Sequence, residues 1–262
     1  MKISKVVDAL ERFAPLPLQE DYDNAGLQVG LTEAEVSGVL LCLDVTEKIV
    51  DEAVAKGCNL IVSHHPLIFR KLACVSDRNY VQRTVMKAIT NGVTIVAMHT
   101  NLDNAPGGVN FKMANKLQLQ DIRFLGPLRQ YREMDYASGV MGELPQPLSS
   151  RDFISLLKNT FRADCVQCNQ LLHRDIKTVS LCGGAGSFLL DNAISAGADA
   201  FITGEMHYHE YFGHEQDIQI AVIGHYQSEQ YTSELLLSII QESCPGVTCL
   251  LTETNTNPIY YM

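Results

Sequence analysis

Short apolar runs that end at histidines constrain the fold of this chain more than any other feature of its sequence. The histidines that end these runs are His64 and His65 after 60–63, His99 after 94–98, and His225 after 220–224. Short apolar runs bounded by turn residues are typical of buried strands in a parallel sheet. Open α/β folds place their chemistry at the carboxyl ends of such strands. The sequence therefore predicts that these imidazoles belong to a functional site.

Composition narrows the class of protein. The chain has 262 residues, of which 46% are hydrophobic and 19% charged, enough for a packed core of one or two domains. No apolar stretch reaches the ~18 residues of a membrane span, and the first residues have helical periodicity instead of a signal peptide's apolar block. The net charge of −10 indicates no nucleic-acid surface and suits a site for cations.

The cysteines indicate the compartment. Eight cysteines are present, and most lie inside apolar segments. Cysteines inside apolar segments are typical of reduced, buried cysteines in intracellular proteins. This placement does not indicate a disulfide scaffold. We therefore expect a cytoplasmic protein.

Apolar runs alternate with segments of helical periodicity along most of the chain. Strands are predicted over 38–44, 59–63, 94–98, 138–143, 177–181, 199–203, 220–224 and 247–251. Helices are predicted over 3–13, 47–56, 80–90, 107–117, 151–161, 188–195 and 228–242, and a loop over 14–30. Such alternation predicts an α/β fold with mainly parallel sheets.

The pattern restarts in the second half of the chain. His99 and Asp103 match His225 and Glu229 at an offset of 126 residues, and Leu41 matches Leu181 at an offset of 140. Chance similarity among apolar strands is the alternative explanation for the second pair. We predict two related α/β lobes, residues 1–126 and 127–262, with the metal site in the cleft between them.

Mixtures of imidazole and carboxylate bind divalent ions such as zinc, iron, manganese, cobalt or nickel. His64 and His65 are adjacent, so in an extended chain their side chains point in opposite directions. They are then placed to serve two ions or to straddle one, which favours a dinuclear site. Asp103 falls in a turn-like stretch, from which its side chain still reaches inward.

The motifs together resemble a known family. They are 23–27, 63–67 and 99–103, then Thr203-Gly204-Glu205 with His209, and finally Gly224-His225 with Glu229. In this combination and order the chain resembles the GTP cyclohydrolase 1 type 2 homologue family, the NIF-three-like proteins. It resembles the short form, because 125–150 leaves no room for the domain that longer members insert there. Two positions differ from the family pattern: Glu205 replaces a usual Asp, and His207 a more familiar Lys.

The resemblance implies a subunit of two α/β lobes that assembles into a ring-shaped homohexamer, a trimer of dimers. It also implies two divalent metal ions per chain. The implied ligands are His64, His65, Asp103, His225 and Glu229, with Glu229 as the bridge between the ions.

Two classes of function follow. The first is a metal-dependent hydrolase that acts on a nucleotide or a related heterocycle through a metal-activated water. In that class His99, Glu205 and His209 are candidate proton carriers, although each could instead orient the ligands. The second is a non-catalytic protein that binds or delivers metal to a partner protein. The spare His and Glu residues near the ligands favour the enzyme.

Two other motifs have a structural and a functional interpretation. Cys165 and Cys168 have the spacing of half a zinc site or of a redox pair, but no second cysteine pair accompanies them. The segment 183–187 could hold a phosphate on backbone N–H groups, yet it lacks the lysine of a P-loop. We favour the structural interpretation of both.

Overall fold

The computed structural model describes residues 1–262, which form nine α-helices and thirteen strands. The helices are α1 Ile3–Phe13, α2 Glu47–Ala55, α3 Tyr80–Thr90, α4 Thr100–Asn104, α5 Val109–Lys116, α6 Ser150–Phe161, α7 Leu190–Ser195, α8 His225–Glu229 and α9 Thr232–Ser243. The strands are β1 Gly26–Val29, β2 Val39–Cys42, β3 Leu60–Ser63, β4 Thr94–Ala97, β5 Gln120–Leu125, β6 Arg129–Tyr131, β7 Met134–Tyr136, β8 Gly139–Leu148, β9 Gln167–Cys168, β10 Ile176–Cys182, β11 Ala200–Thr203, β12 Gln219–Val222 and β13 Cys249–Leu251.

The chain divides into two compact units. The first contains Met1–Leu102 and Thr232–Pro258, and the second contains Asp103–Tyr231 and Ile259–Met262. Each unit therefore draws on two separate stretches of sequence. The predicted lobes 1–126 and 127–262 and the cleft between them stay predictions.

The first unit is built on a five-stranded sheet in the order β1-β4-β3-β2-β13. All neighbours are parallel except β1, which pairs antiparallel with β4 at the edge. Leu40 and Ile61 pack with residues of α2 and α3 in one core cluster. Because side chains alternate along a strand, Leu41 and Val62 face the opposite side of the sheet, and both are fully buried. This burial on both faces explains the uninterrupted apolar runs of β2 and β3.

The second unit contains a six-stranded sheet in the order β5-β8-β10-β11-β12-β9 and a small β6-β7 hairpin. Only the central strands β10, β11 and β12 are parallel. The β5-β8, β8-β10 and β9-β12 pairs are antiparallel. The expectation of mainly parallel sheets is therefore correct for the first unit and wrong for the flanks of this sheet. β8 alternates poorly and carries two prolines, so its sequence does not indicate direction.

The α/β class is confirmed, and most predicted elements lie within a few residues of the observed ones. The loop predicted over 14–30 is wrong in part, because β1 lies within it. The sequence does not predict β1, because its two central residues are not buried and the strand is therefore not a continuous apolar run. The helix predicted over 228–242 is two helices, α8 and α9. No helix in the chain is both long and apolar enough to cross a membrane.

A partly buried carboxylate fixes the segment after β13 to the first unit. Glu52 on α2 accepts hydrogen bonds from Thr252 Oγ1 at 2.6 Å, Glu253 N at 2.8 Å and Thr254 Oγ1 at 2.7 Å, and from Lys56 Nζ at 2.9 Å. Burial by itself raises the pKa of Glu52, but these donors outweigh it and lower the pKa to about 2. The ionised form is therefore the one that holds the segment after β13.

We expect Glu52→Gln to lower the free energy of unfolding by about 1–3 kcal/mol at pH 7, because hydrogen bonds to a charged acceptor are lost. The folded-state pKa lies below the ordinary value of 4.5, so this stabilisation is present at neutral pH. It disappears as the pH falls from about 4.5 toward 2. Urea denaturation at several pH values measures the difference, and the exposed Glu242→Gln is the control that removes the same charge. A gap between wild type and Glu52→Gln that stays constant down to pH 2 would contradict the assignment.

Candidate metal centre

His64 is the first residue after the fully buried strand β3. The parallel register of β3 and β4 pairs Ser63 with Ala97, so the residues just beyond both strands are neighbours. His64 Nδ1 lies 2.8 Å from the carbonyl oxygen of Met98, and the side chain is fully buried. A carbonyl oxygen only accepts hydrogen bonds, so Nδ1 carries the hydrogen. In the neutral ring, Nε2 then holds the lone pair that binds a metal.

His65 is oriented by Asp44, which lies just beyond β2. His65 Nδ1 is 2.7 Å from Asp44 Oδ1, and Thr256 Oγ1 donates to the other carboxylate oxygen at 2.9 Å. Burial raises the pKa of Asp44, but the hydrogen bond from His65 and its charge outweigh that effect and lower the pKa. Asp44 is therefore an ionised acceptor that leaves His65 Nε2 available to a metal.

His99 has the same arrangement with Asp23. His99 Nδ1 is 2.7 Å from Asp23 Oδ1, and the backbone N–H of Thr100 donates to Asp23 Oδ2 at 3.0 Å. The Asp23 side chain is completely buried, which by itself raises its pKa, but the donors lower the pKa to about 2. The carboxylate is thus held in its ionised form and fixes the His99 ring.

The three imidazoles converge. One nitrogen from each of His64, His65 and His99 lies within 4.8 Å of the others, and the ring centroids are 4.9 to 5.5 Å apart. The expectation that His64 and His65 point in opposite directions is wrong, because β3 ends at Ser63 and the chain bends at both histidines. The alternation of an extended strand does not apply there. This group of histidines could hold a metal ion.

The second unit contains a His-carboxylate pair on one helix, α8. His225 and Glu229 are the first and last residues of α8, and the i, i+4 spacing brings His225 Nε2 within 3.1 Å of Glu229 Oε2. His225 Nδ1 lies 2.8 Å from Glu205 Oε1, so Nδ1 donates and Nε2 of the neutral ring carries a lone pair. Two electron-pair donors this close are stabilised by a shared cation, which fits a metal.

Gly184 leaves space for the Glu229 carboxylate. Its φ is +57°, and a Cβ added there would overlap Glu229 Oε1. Ser228 Oγ accepts from the N–H of Gly184 at 3.0 Å and donates to the carbonyl of His225 at 2.7 Å. The loop after β10 is therefore linked to the short helix α8 through Ser228, and Glu229 itself is 4% exposed.

The glycine-rich segment 183–187 is a structural turn. Its N–H groups donate internally: Gly183 to Asn110 Oδ1, Gly184 to Ser228 Oγ, and Gly186 to Thr203 Oγ1. These donors are not available to a phosphate, which supports the structural interpretation made from the sequence.

The remaining predicted residues lie as follows. Asp103 is in helix α4 and not in a loop, and its carbonyl accepts from Asn110 Nδ2 at 3.2 Å. His209 lies in an exposed 3₁₀ turn, Tyr208–Tyr211, with its ring beside Tyr208 and Phe212. The catalytic roles of His99, Glu205 and His209 stay predictions.

A cavity of about 350 Å³ adjoins His225 in the second unit. Its lining includes Glu205, His207, Cys165 and Tyr261. Cys168 pairs with Ala221 across the β9-β12 ladder, and burial raises the pKa of its thiol. A raised pKa disfavours the reactive thiolate, which supports a structural interpretation of Cys168.

Sequence reasoning missed the carboxylates that orient His65 and His99. Asp23 belongs to a motif that carried the resemblance but received no role, and Asp44 received none. The available signal was the position of Asp44, which follows a buried strand like the histidines do. The partner of His99 gave no such signal, because it lies 76 residues away in sequence.

The fold is α/β, and histidine and carboxylate groups that could hold a metal ion lie at its strand ends. The family model described as Duf34/NIF3 (NGG1p interacting factor 3) matches residues 1–258, and the chain belongs to this family.

Two relatives and one solved structure show the similarity. A GTP cyclohydrolase 1 type 2 homolog from Lactococcus lactis subsp. lactis is 30% identical over 266 residues, covering 99% of each chain. The alignment with one from Staphylococcus aureus is 24% identical and extends over 368 residues, covering 100% of both chains. That length exceeds the 262 residues of this chain, which supports the short form. The crystal structure of Staphylococcus aureus protein SA1388 has a TM-score of 0.90 at 27% identity, covering 100% of this chain and 99% of that one.

We expect Gly184→Ala to reduce metal binding, because the added Cβ displaces the Glu229 carboxylate. Gly197→Ala is the matched control: Gly197 also has positive φ, at +74°, but no atom lies within 4 Å of its added Cβ. Both variants carry a backbone cost of about 1–2 kcal/mol. Elemental analysis and thermal denaturation of both separate the two effects. Equal metal content in the two variants would contradict the role of Gly184.

Proposed function

We propose that this protein is a metal-dependent hydrolase that acts on a nucleotide or a related heterocycle. In this proposal His64, His65, Asp103, His225 and Glu229 bind two divalent ions per chain, with Glu229 as the bridge. The observation that carries it is that Met98 and Asp44 hold the Nδ1 atoms of His64 and His65, which leaves both Nε2 lone pairs for a metal, while His99 lies in the same group. The ion is iron, zinc, manganese, cobalt or nickel, all of which accept nitrogen and oxygen ligands.

Bound divalent ions supply Lewis acidity for hydrolysis. The residues of the chain orient the imidazole rings and transfer protons. Asp44 and Glu205 orient the rings of His65 and His225 and keep Nδ1 protonated. Asp23 does the same for His99, so that Nε2 of this ring is placed to accept and return a proton.

The His99-Asp23 pair favours an enzyme over a metal-delivery protein. An imidazole backed by a carboxylate occurs in metal-bound histidines as well as in general bases, and we assign proton transfer to His99 because it is not among the five proposed ligands. A delivery protein needs exchangeable ligands but no proton carrier. Glu205 and His209 remain further candidates for proton transfer, and both are exposed.

We further propose that the chain works in the cytoplasm as a homohexamer, a trimer of dimers, with a small-molecule substrate. All eight cysteines are free thiols, which supports a reducing compartment. The ring assembly rests on the family resemblance.

Metal content is the first test. Protein purified without a metal-affinity tag should contain about two transition-metal ions per chain, as a dinuclear site requires. The His64→Ala, His65→Ala double variant should lose them. Hydrolysis of GTP and related nucleotides should appear only in the metal-loaded wild type. Stoichiometric metal without any hydrolysis would favour the delivery protein, and no metal even after reconstitution would overturn both functions.

Glu229→Gln should reduce bound metal more than His99→Ala does. Glu229 is assigned as the bridge between ions, whereas His99 is assigned to proton transfer and support of the ligands. Elemental analysis of both variants after the same reconstitution measures the difference. Equal metal retention would refute the two assignments.

A further inference from the structure

A second cavity, of about 410 Å³, lies in the first unit directly after the histidine pair. Its lining begins with Pro66 and Leu67, the residues that follow His65, and continues to the start of α3. Its volume lies within the range of small-molecule sites. None of the five proposed metal ligands lines it.

An exposed aromatic surface connects this cavity with the histidines. The Phe69 ring lines the cavity and lies 6.0 Å from the His99 ring, nearly perpendicular to it. Phe69 also makes an edge contact with Tyr22, with ring centroids 6.5 Å apart. Phe69 is 44% exposed and Tyr22 66% exposed. Aromatic side chains that are exposed in this way are suited to a planar ligand.

The backbone holds this surface in place. Asn24 Nδ2 donates to the carbonyl of Ile68 at 2.6 Å, and the N–H of Ile68 donates to Gln28 Oε1 at 3.1 Å. Both bonds fix the residue before Phe69, so the ring is carried by an ordered segment.

Two cations beside Phe69 line the same cavity. Arg70 and Lys71 are exposed and make no hydrogen bond or ion pair through their side chains. Arg174, another exposed cation, is by contrast paired with Asp199. Adjacent unpaired cations suit an anionic group of a ligand.

We propose that this cavity binds the substrate as a phosphorylated heteroaromatic compound of the nucleotide class. The heteroaromatic ring of the ligand packs against Phe69 and Tyr22, and its phosphates form ion pairs with Arg70 and Lys71. The inference rests on the proposed function, because it takes the substrate to be the compound hydrolysed at the neighbouring metal centre. It assigns the recognition of that substrate to residues that bind no metal.

The test is calorimetric titration of three probes into the full-length, metal-loaded protein: GTP, guanosine, and inorganic triphosphate. Phe69→Ala should weaken GTP and guanosine binding about 10-fold or more, in line with the loss of one stacking partner. Phe69→Tyr should restore it. Arg70→Ala with Lys71→Ala should weaken GTP and triphosphate binding and leave guanosine unchanged.

Two controls make the result specific. Arg151→Ala with Lys158→Ala removes two exposed cations of α6 and should leave all three affinities unchanged. The His64→Ala, His65→Ala variant should still bind guanosine with an affinity that depends on Phe69, even without metal. Such binding in a protein that holds no metal would keep the cavity assignment while the hydrolase proposal fails. Affinities in Phe69→Ala and in the Arg70, Lys71 variant that equal those of the wild type would overturn the inference, whatever the metal content.

Discussion

The hydrogen bond at Nδ1 is the interaction on which the candidate metal centre depends. A buried imidazole has two nitrogens, and the group that accepts from one of them determines what the other can do. Here a carbonyl, from Met98, and carboxylates, from Asp44, Asp23 and Glu205, accept from the four histidines. Each acceptor places the lone pair on Nε2. The chemistry of the site is therefore decided by residues that would not themselves bind metal.

The sheet topology explains why these acceptors are close to their histidines. β2, β3 and β4 are adjacent and parallel, and the register aligns Cys42 with Ser63 and Ser63 with Ala97. The residues after these strands, among them Asp44 and His65, therefore lie side by side at one edge. The buried strands carry no chemistry of their own. They determine which loop residues become neighbours.

Because strand topology determines which loop residues become neighbours, it also explains what the sequence could and could not predict. The histidines were predictable, because each ends an apolar run that burial on both faces requires. The convergence of His64 with His65 was not, since the bend after Ser63 leaves no signature in the pattern. Asp23 could not be assigned to His99, because a contact over 76 residues depends on the antiparallel edge strand β1, which the sequence did not indicate. The mixed second sheet was missed for a similar reason: long, irregular β8 has no alternation that reveals its direction.

The acceptors differ in burial, and this difference separates His99 from His225. The Asp23 side chain is fully buried, whereas that of Glu205 is 56% exposed. Water and salt screen the Glu205-His225 hydrogen bond, so it holds the ring less firmly than Asp23 holds His99. The orientation of His225 must then depend on the packing of α8 as well, through Ser228 and the space at Gly184. Because that packing leaves no room for a side chain, the glycine loop has the positioning role for His225 that a buried carboxylate has for His99.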